Sequence, residues 1–235
     1  MPGVFGIKSK RECINDLLTG IFSLQHRGEG FCGAVTKTKK GLVSYRYEGK
    51  VDDSFAEKEK KRLTGSYGLG SVHPFYKQPI SFESGFGELS LSYSGKILNK
   101  RSLRNHLLKK GHSLSIKQTD AEIIGKLITE KNEATNIVEG LKRMASQVRG
   151  IYSLGILAED GLYAFRSPVG VEPLVVGSNN DISAFSSESC SLKELWLREN
   201  EYRTVGPGEI IYIGDKGIET VGQLNGMKAL HQQDF

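Results

Sequence analysis

The sequence is poor in several residue types that define whole classes of protein. Only three cysteines, Cys13, Cys32 and Cys190, are spread through 235 residues. So odd and sparse a set excludes a disulfide framework and fits reduced thiols, and no pair has metal-ligand spacing. No apolar run approaches the ~20 residues that span a bilayer, so no membrane segment is expected. The N-terminus lacks the basic, apolar, then small-residue order of a secretory signal, and a cytoplasmic location is the resulting expectation. There is no internal repeat, no low-complexity tract and no Pro/Ser-rich linker. With only six prolines and nothing marking an internal boundary, one domain over residues 1–235 is expected.

Charge of one sign is present but not massed. The formal net charge is +5. The basic runs are short: Lys37, Lys39 and Lys40, then Lys58, Lys60, Lys61 and Arg62, the second interrupted by Glu57 and Glu59. No aromatic ladder or nucleic-acid motif accompanies them, so they read as solvated faces and no nucleic-acid partner is expected. A hydrophobic content of 38% with 25% charged residues suits a globular chain with a sizeable core.

Helical periodicity appears in four places. Ile14, Leu17, Leu18, Ile21 and Phe22 form one apolar face. Leu103, Leu107 and Leu108 form a second, between Asn99 as a start and Gly111 as a stop. Thr119-Asp120-Ala121-Glu122 has the capping-box pattern ahead of Ile123, Ile124, Leu127 and Ile128. Ile137, Val138, Leu141, Met144 and Ala145 give the fourth, and a shorter helix is expected from about Ser189. Most of the rest reads as strands. Leu42–Tyr47 alternates, and Leu89–Tyr93 and Lys96–Leu98 are expected to flank a turn at Ser94-Gly95. Tyr152–Leu157 and Leu162–Phe165 flank Glu159-Asp160-Gly161, and Glu209–Ile213 and Ile218–Val221 flank Asp215-Lys216-Gly217, both hairpin turns. Strands first, helices in the middle and hairpins last argue for a layered α+β domain rather than a doubly wound sheet.

Several stretches together carry a resemblance. Leu24-Gln25-His26-Arg27-Gly28 follows the first helix, and Gly68-Leu69-Gly70-Ser71-Val72 comes next. Gly87-Glu88-Leu89-Ser90-Leu91-Ser92-Tyr93-Ser94-Gly95, Thr119–Glu122 and Arg166-Ser167-Pro168-Val169-Gly170-Val171-Glu172-Pro173-Leu174 follow. Ser187-Glu188-Ser189-Cys190 and Val205-Gly206-Pro207-Gly208-Glu209 complete the series. Their order and spacing resemble the class II (type 2) glutamine amidotransferase domain of amidophosphoribosyltransferases, a family related to purine biosynthesis. The resemblance covers residues 2 to about 221. It implies the N-terminal-nucleophile (Ntn) hydrolase fold, a four-layer αββα sandwich of two antiparallel sheets. It also implies a phosphoribosyltransferase domain after the glutaminase domain. This chain reaches Phe235, about where that domain would start, so none is expected within it.

The family reaction releases ammonia from the glutamine side-chain amide, through the thiolate and α-amino group of an N-terminal cysteine. Here the opening reads MPGVFGI, and Pro2 stands at the nucleophile position, so no catalytic residue is intact. The family's oxyanion pair, Asn-Gly, aligns with Ser94-Gly95. Its carboxylate-binding Arg aligns with His73, which lacks the bidentate fork. Its ammonium-binding Asp persists as Asp120, and Arg27 persists. Glu172 stands where the family has Arg and reverses a charge. Carried over by resemblance, the ligand-binding positions are Arg27, His73, Ser94, Gly95 and Asp120, with no metal and no cofactor expected.

Each position also has a plainer reading. Asp120 can bind an ammonium or help cap the following helix. Arg27 can line a pocket or tie down the loop after the first helix. His73 can meet a carboxylate or pack in the core. Cys32, a conceivable displaced nucleophile, sits in an apolar strand and reads as a buried thiol. The functional expectation is a non-catalytic ligand-binding or regulatory module. Its ligand would be glutamine or a related amino acid, and its partner a synthase or regulatory chain. The family habit of self-association adds a homo-oligomer. Two alternatives stay open: a glutaminase subunit using another group or a partner chain, and an enzyme using the Pro2 amine.

Overall fold

The computed structural model describes residues 1–115, 119–130 and 134–224. The chain opens with β1 (Gly3–Ser9), α1 (Ile14–Phe22), a 3-10 turn at Gln25–Arg27, β2 (Phe31–Thr38) and β3 (Gly41–Glu48). It continues through α2 (Glu57–Lys60), β4 (Tyr67–His73), β5 (Ile80–Ser84) and β6 (Gly87–Ile97). Three helices follow, α3 (Lys100–Lys109), α4 (Asp120–Ile128) and α5 (Ile137–Gln147), then β7 (Gly150–Ala158) and β8 (Leu162–Arg166). The last elements are β9 (Val175–Ser178), β10 (Ile182–Ser186), α6 (Ser189–Glu194), a 3-10 turn at Glu199–Glu201, β11 (Tyr202–Thr204), β12 (Glu209–Gly214) and β13 (Gly217–Gln223).

The strands form two antiparallel sheets. One has the order β11-β9-β10-β1-β4-β2-β3 and the other β13-β12-β8-β7-β6-β5. Alternation along the strands builds the layers. Leu89, Leu91 and Tyr93 of β6 join Leu103, Ile124, Leu127 and Leu141 in the core between the second sheet and α3–α5. The intervening Ser90, Ser92 and Ser94, fully buried, therefore face the first sheet. On β1, Phe5 and Ile7 pack under α1 and α6 with Leu17, Ile21 and Leu192. Val4 points between the sheets, with Leu69, Leu157, Phe185 and Ile211. Small residues let the sheets close there: a Cβ on Gly6 would lie 2.2 Å from the Phe185 ring, and one on Gly155 2.7 Å from it. The result is helices, sheet, sheet, helices, the αββα sandwich expected.

The four periodic helices, the short helix from Ser189 and the Glu159–Gly161 and Asp215–Gly217 hairpins form where the pattern placed them. Gly111 ends α3 with φ +82°, its N–H bonded to the Leu108 carbonyl at 3.0 Å. The capping pattern at α4 is half realised. Thr119 Oγ1 accepts from Glu122 N at 3.2 Å, but the Glu122 carboxylate turns away to Ser115 N and Oγ, each at 2.6 Å.

The turn expected at Ser94-Gly95 does not exist. β6 runs unbroken through both residues, with Ser94 opposite Ser153, Gly95 opposite Tyr152 and Lys96 opposite Ile151. Gly95 has φ +134°, so its turn-like conformation is absorbed inside a strand. A Cβ there would lie 2.1 Å from the Ile151 carbonyl oxygen and 2.6 Å from Tyr152 Cα. Glycine is required by the neighbouring backbone, not by a chain reversal. Gly95→Ala is expected to destabilise the domain by about 3 kcal/mol, from overpacking and strain together. Urea unfolding measures it, and a loss within error of zero would contradict this packing.

Candidate functional site

The β1–β4 register pairs Gly3 with Val72, which brings Pro2 beside His73 at the end of β4. Proline is tolerated just before the first ladder residue because it has no N–H to donate. Beyond it opens a cavity of about 460 Å³, whose wall includes Pro2, His73, Tyr93, Gly95, Lys100 and Asp120. Two larger grooves, of about 910 and 930 Å³, do not reach Pro2. The second of these collects Lys37, Lys39, Lys40 and Arg62 with Lys10 and Arg11, bringing together basic residues that are separate in sequence.

The five carried-over positions divide. His73, Gly95 and Asp120 line the cavity, whereas Arg27 and Ser94 are not among its lining residues. The Arg27 side chain is 8% exposed, and all three nitrogens of its guanidinium donate. Nε donates to the Pro2 carbonyl at 2.8 Å, Nη1 to Glu188 Oε1 at 2.7 Å, and Nη2 to Glu172 Oε1 at 2.7 Å. Ser94 Oγ lies 2.8 Å from the Pro2 carbonyl oxygen and 2.5 Å from Glu172 Oε1, so its proton is held by these acceptors. The charge reversal at Glu172 thus lands in a buried network. Its carboxylate is wholly enclosed, and its second oxygen has no partner. Burial raises the Glu188 carboxyl, but Arg27 and then His26 outweigh it and hold it below its usual range. Of the two readings of Arg27, its contacts are those of a tie between segments.

Loop 166–174, which delivers Glu172, is organised by Arg166. Its guanidinium donates to the carbonyls of Glu172 and Val205, each at 2.8 Å, and to that of Gly170. Sequence reasoning singled out Glu172 only as an anomaly. Its partner Arg27 lies 145 positions away, with no local signal to connect them.

His73 is 7% exposed. Its Nδ1 accepts from the backbone N–H groups of Phe75 and Tyr76, at 2.9 and 3.0 Å, which leaves the ring proton of the neutral form on Nε2. Burial, helped by the nearby terminal ammonium, pushes its pKa down to about 4. His73 therefore offers no positive charge to a carboxylate near neutral pH. Both plainer and functional positions meet here, since the ring is packed and still faces the cavity.

Asp120 does not cap α4, because Thr119 takes that role. Its Oδ2 accepts from Ile97 N at 3.1 Å and from the Tyr93 hydroxyl at 3.3 Å. Its Oδ1 pairs with Lys100 Nζ at 2.9 Å. Burial and Asp120 raise the Tyr93 pKa, keeping that phenol a donor. Lys100, on the first turn of α3, is a cavity residue that sequence reasoning missed. Its only sequence signal was a position just after the Ser94-Gly95 stretch.

None of the three cysteines is among the cavity's lining residues. Burial raises the Cys13 thiol to about 12 and raises those of Cys32 and Cys190. Cys32 Sγ lies 3.1 Å from Ser54 Oγ, under α1 and not between the sheets. Among the described residues, no three or more His, Cys, Asp or Glu side chains are grouped to hold a metal ion. None of the described helices is long and apolar enough to cross a membrane.

A two-sheet sandwich with its N-terminus at a cavity between β4 and β6 defines the class II amidotransferase architecture, and the comparisons agree. The profile of the glutamine amidotransferase domain matches residues 73–194, and the chain belongs to that family. It is 33% identical over 230 residues to the amidophosphoribosyltransferase of Methanocaldococcus jannaschii, covering 93% of this chain and 48% of that one. It superposes on the glutamine phosphoribosylpyrophosphate amidotransferase of B. subtilis, solved with ADP and GMP, with a TM-score of 0.85 at 28% identity. That match covers 93% of this chain and 48% of the other. It also superposes on an allosteric regulatory enzyme of purine biosynthesis, with a TM-score of 0.86 at 27% identity, covering 95% and 50%. The chain spans about half the length of these relatives.

Two outcomes follow from this geometry. His73 is held neutral, with a folded pKa of about 4 against an ordinary value of 6.5. Between those values the unfolded chain binds more protons, so the His73 contribution is present above pH 6.5 and is lost as pH falls toward 4. The loss is on the order of 3 kcal/mol, and His73→Gln should flatten that part of the stability–pH profile measured by urea unfolding. Arg27→Met leaves two acidic groups uncompensated and should cost about 3–5 kcal/mol. Adding Glu172→Met should recover part of that loss, and a near-silent Arg27→Met would show that the pairing constrains nothing.

Proposed function

We propose that this chain is a type 2 glutamine amidotransferase module that does not hydrolyse glutamine, and that its cavity binds a small ligand or relays a partner's state. The observation that carries this reading is Pro2 at the cavity wall, where the family mechanism needs a cysteine. Acyl transfer requires a thiolate or alkoxide that can attack the amide carbon and later leave. Proline supplies neither, even if Met1 is removed and its ring nitrogen becomes the terminal amine.

The surroundings support the same reading. Cys13, Cys32 and Cys190 have raised pKa values, which disfavours the nucleophilic thiolate. The Ser94 hydroxyl is engaged with Glu172 and the Pro2 carbonyl, so it does not stabilise a developing oxyanion in the cavity. Neutral His73 provides no fork for a carboxylate. The relatives named as amidophosphoribosyltransferases are about twice this chain's length. A synthase or regulatory chain, or a second copy of this one, is the proposed partner, with a cytoplasmic setting.

The test is ammonia release from L-glutamine by the native chain and by Pro2→Cys, with glutamate measured in parallel. The native chain should stay at the blank rate. Pro2→Cys should stay well below an intact glutaminase, because a missing oxyanion donor alone costs roughly 10²–10³-fold in rate. Sustained turnover by the native chain would overturn the non-catalytic reading.

A further inference from the structure

Asp120 faces the cavity with both oxygens occupied by groups of its own chain. Oδ2 receives the Ile97 N–H and the Tyr93 hydroxyl, at 3.1 and 3.3 Å. Oδ1 holds Lys100 Nζ at 2.9 Å. Oδ1 keeps one acceptor direction beside the Lys100 ammonium, and an incoming α-ammonium placed there would sit against a like charge. Exchanging one ammonium for another gains no net charge contact. The lysine is also tethered, and a tethered group competes at an effective concentration of roughly millimolar. A free amino acid must therefore displace an intramolecular rival or place its ammonium against one of like charge.

The remaining charge at the cavity points the other way. Lys96 lines it, as do Met1 and Pro2, and the Met1 ammonium lies near enough to act on His73. His73 is neutral. Once Asp120 and Lys100 cancel, Lys96 and the terminal amine leave an excess of positive charge, with no second carboxylate among the lining residues. An anion gains from that field, whereas a ligand bringing its own ammonium does not.

We infer that the cavity takes a small carboxylate lacking an α-ammonium, such as a dicarboxylate or 2-oxo acid, and that Lys100 sets this preference by occupying the ammonium position at Asp120. The inference rests on the reading of this cavity as a ligand site, and it redirects that reading away from glutamine itself. Lys100 is a specificity-determining residue in this account and takes no part in any bond-making step.

Glutarate and L-glutamate make a matched pair of probes, differing only in the α-ammonium. Calorimetric titration of the whole chain near pH 7.5 and at low salt should show glutarate binding about tenfold tighter or more. Lys100→Met frees Asp120 and should shift the glutarate-to-glutamate affinity ratio by about tenfold toward L-glutamate, whereas Lys100→Arg should keep the native preference. Asp120→Asn should leave glutarate binding in place without admitting L-glutamate. Lys100 is 41% exposed, so these variants should fold, and a thermal melt of each checks it. Equal affinities in the native chain, an unchanged ratio in Lys100→Met, or no binding of either probe would each overturn the inference. Ammonia release tests the non-catalytic reading separately. A chain that binds L-glutamate as well as glutarate, yet releases no ammonia from glutamine, would sink this inference alone.

Discussion

Neutralising the Arg27 guanidinium is the constraint on which the N-terminal end of the sandwich depends. One nearly buried cation joins four other segments: the Pro2 carbonyl ahead of β1, Ser94 in β6, Glu172 in loop 166–174, and Glu188 before α6. Those segments belong to both sheets. Taking such a charge out of water costs several kcal/mol unless its donors meet acceptors of suitable geometry, and here Nε, Nη1 and Nη2 each do. The ion pair therefore contributes position more than stability. It sets where the chain begins relative to β6, and with that the shape of the cavity.

The same economy runs through the cavity wall. Two polar groups of the wall are engaged from within the chain: His73 Nδ1 by two backbone N–H groups, and Asp120 by Lys100, Ile97 and Tyr93. A polar group satisfied internally offers little to a ligand, because binding must first break what is there. What remains is the His73 Nε2 proton and the charge of Lys96. On the proposed reading, such a cavity discriminates among ligands by net charge more than by shared hydrogen bonds.

Proline at position 2 leaves the family fold intact for a separable reason. β1 stays in the centre of its sheet because Phe5 and Ile7 bury toward the helices and Val4 toward the other sheet. Pro2 lies just outside that ladder. The residue that decides chemistry and the residues that decide packing are neighbours in sequence with different roles, so one can change without the other.

Much of the fold was legible in the sequence. Periodicity at 3.6 residues located the helices, and Glu-Asp-Gly and Asp-Lys-Gly located two hairpins, because both signals are local and act through backbone geometry. The ordered motifs pointed to the family, and Pro2 needed no structure to be seen. What misled was chemistry read without its surroundings. Ser94-Gly95 has the composition of a turn, but Gly95 serves the close approach of Tyr152 inside a continuous strand. Asp120 looked like a helix cap, yet a preceding threonine caps the helix and leaves the carboxylate to Lys100. Only the tertiary structure placed β1 between β10 and β4, joined Arg27 to Glu172, and set Lys100 against Asp120. These depend on which distant groups meet, and pairwise contact between charges far apart in the chain leaves no periodic trace in the sequence.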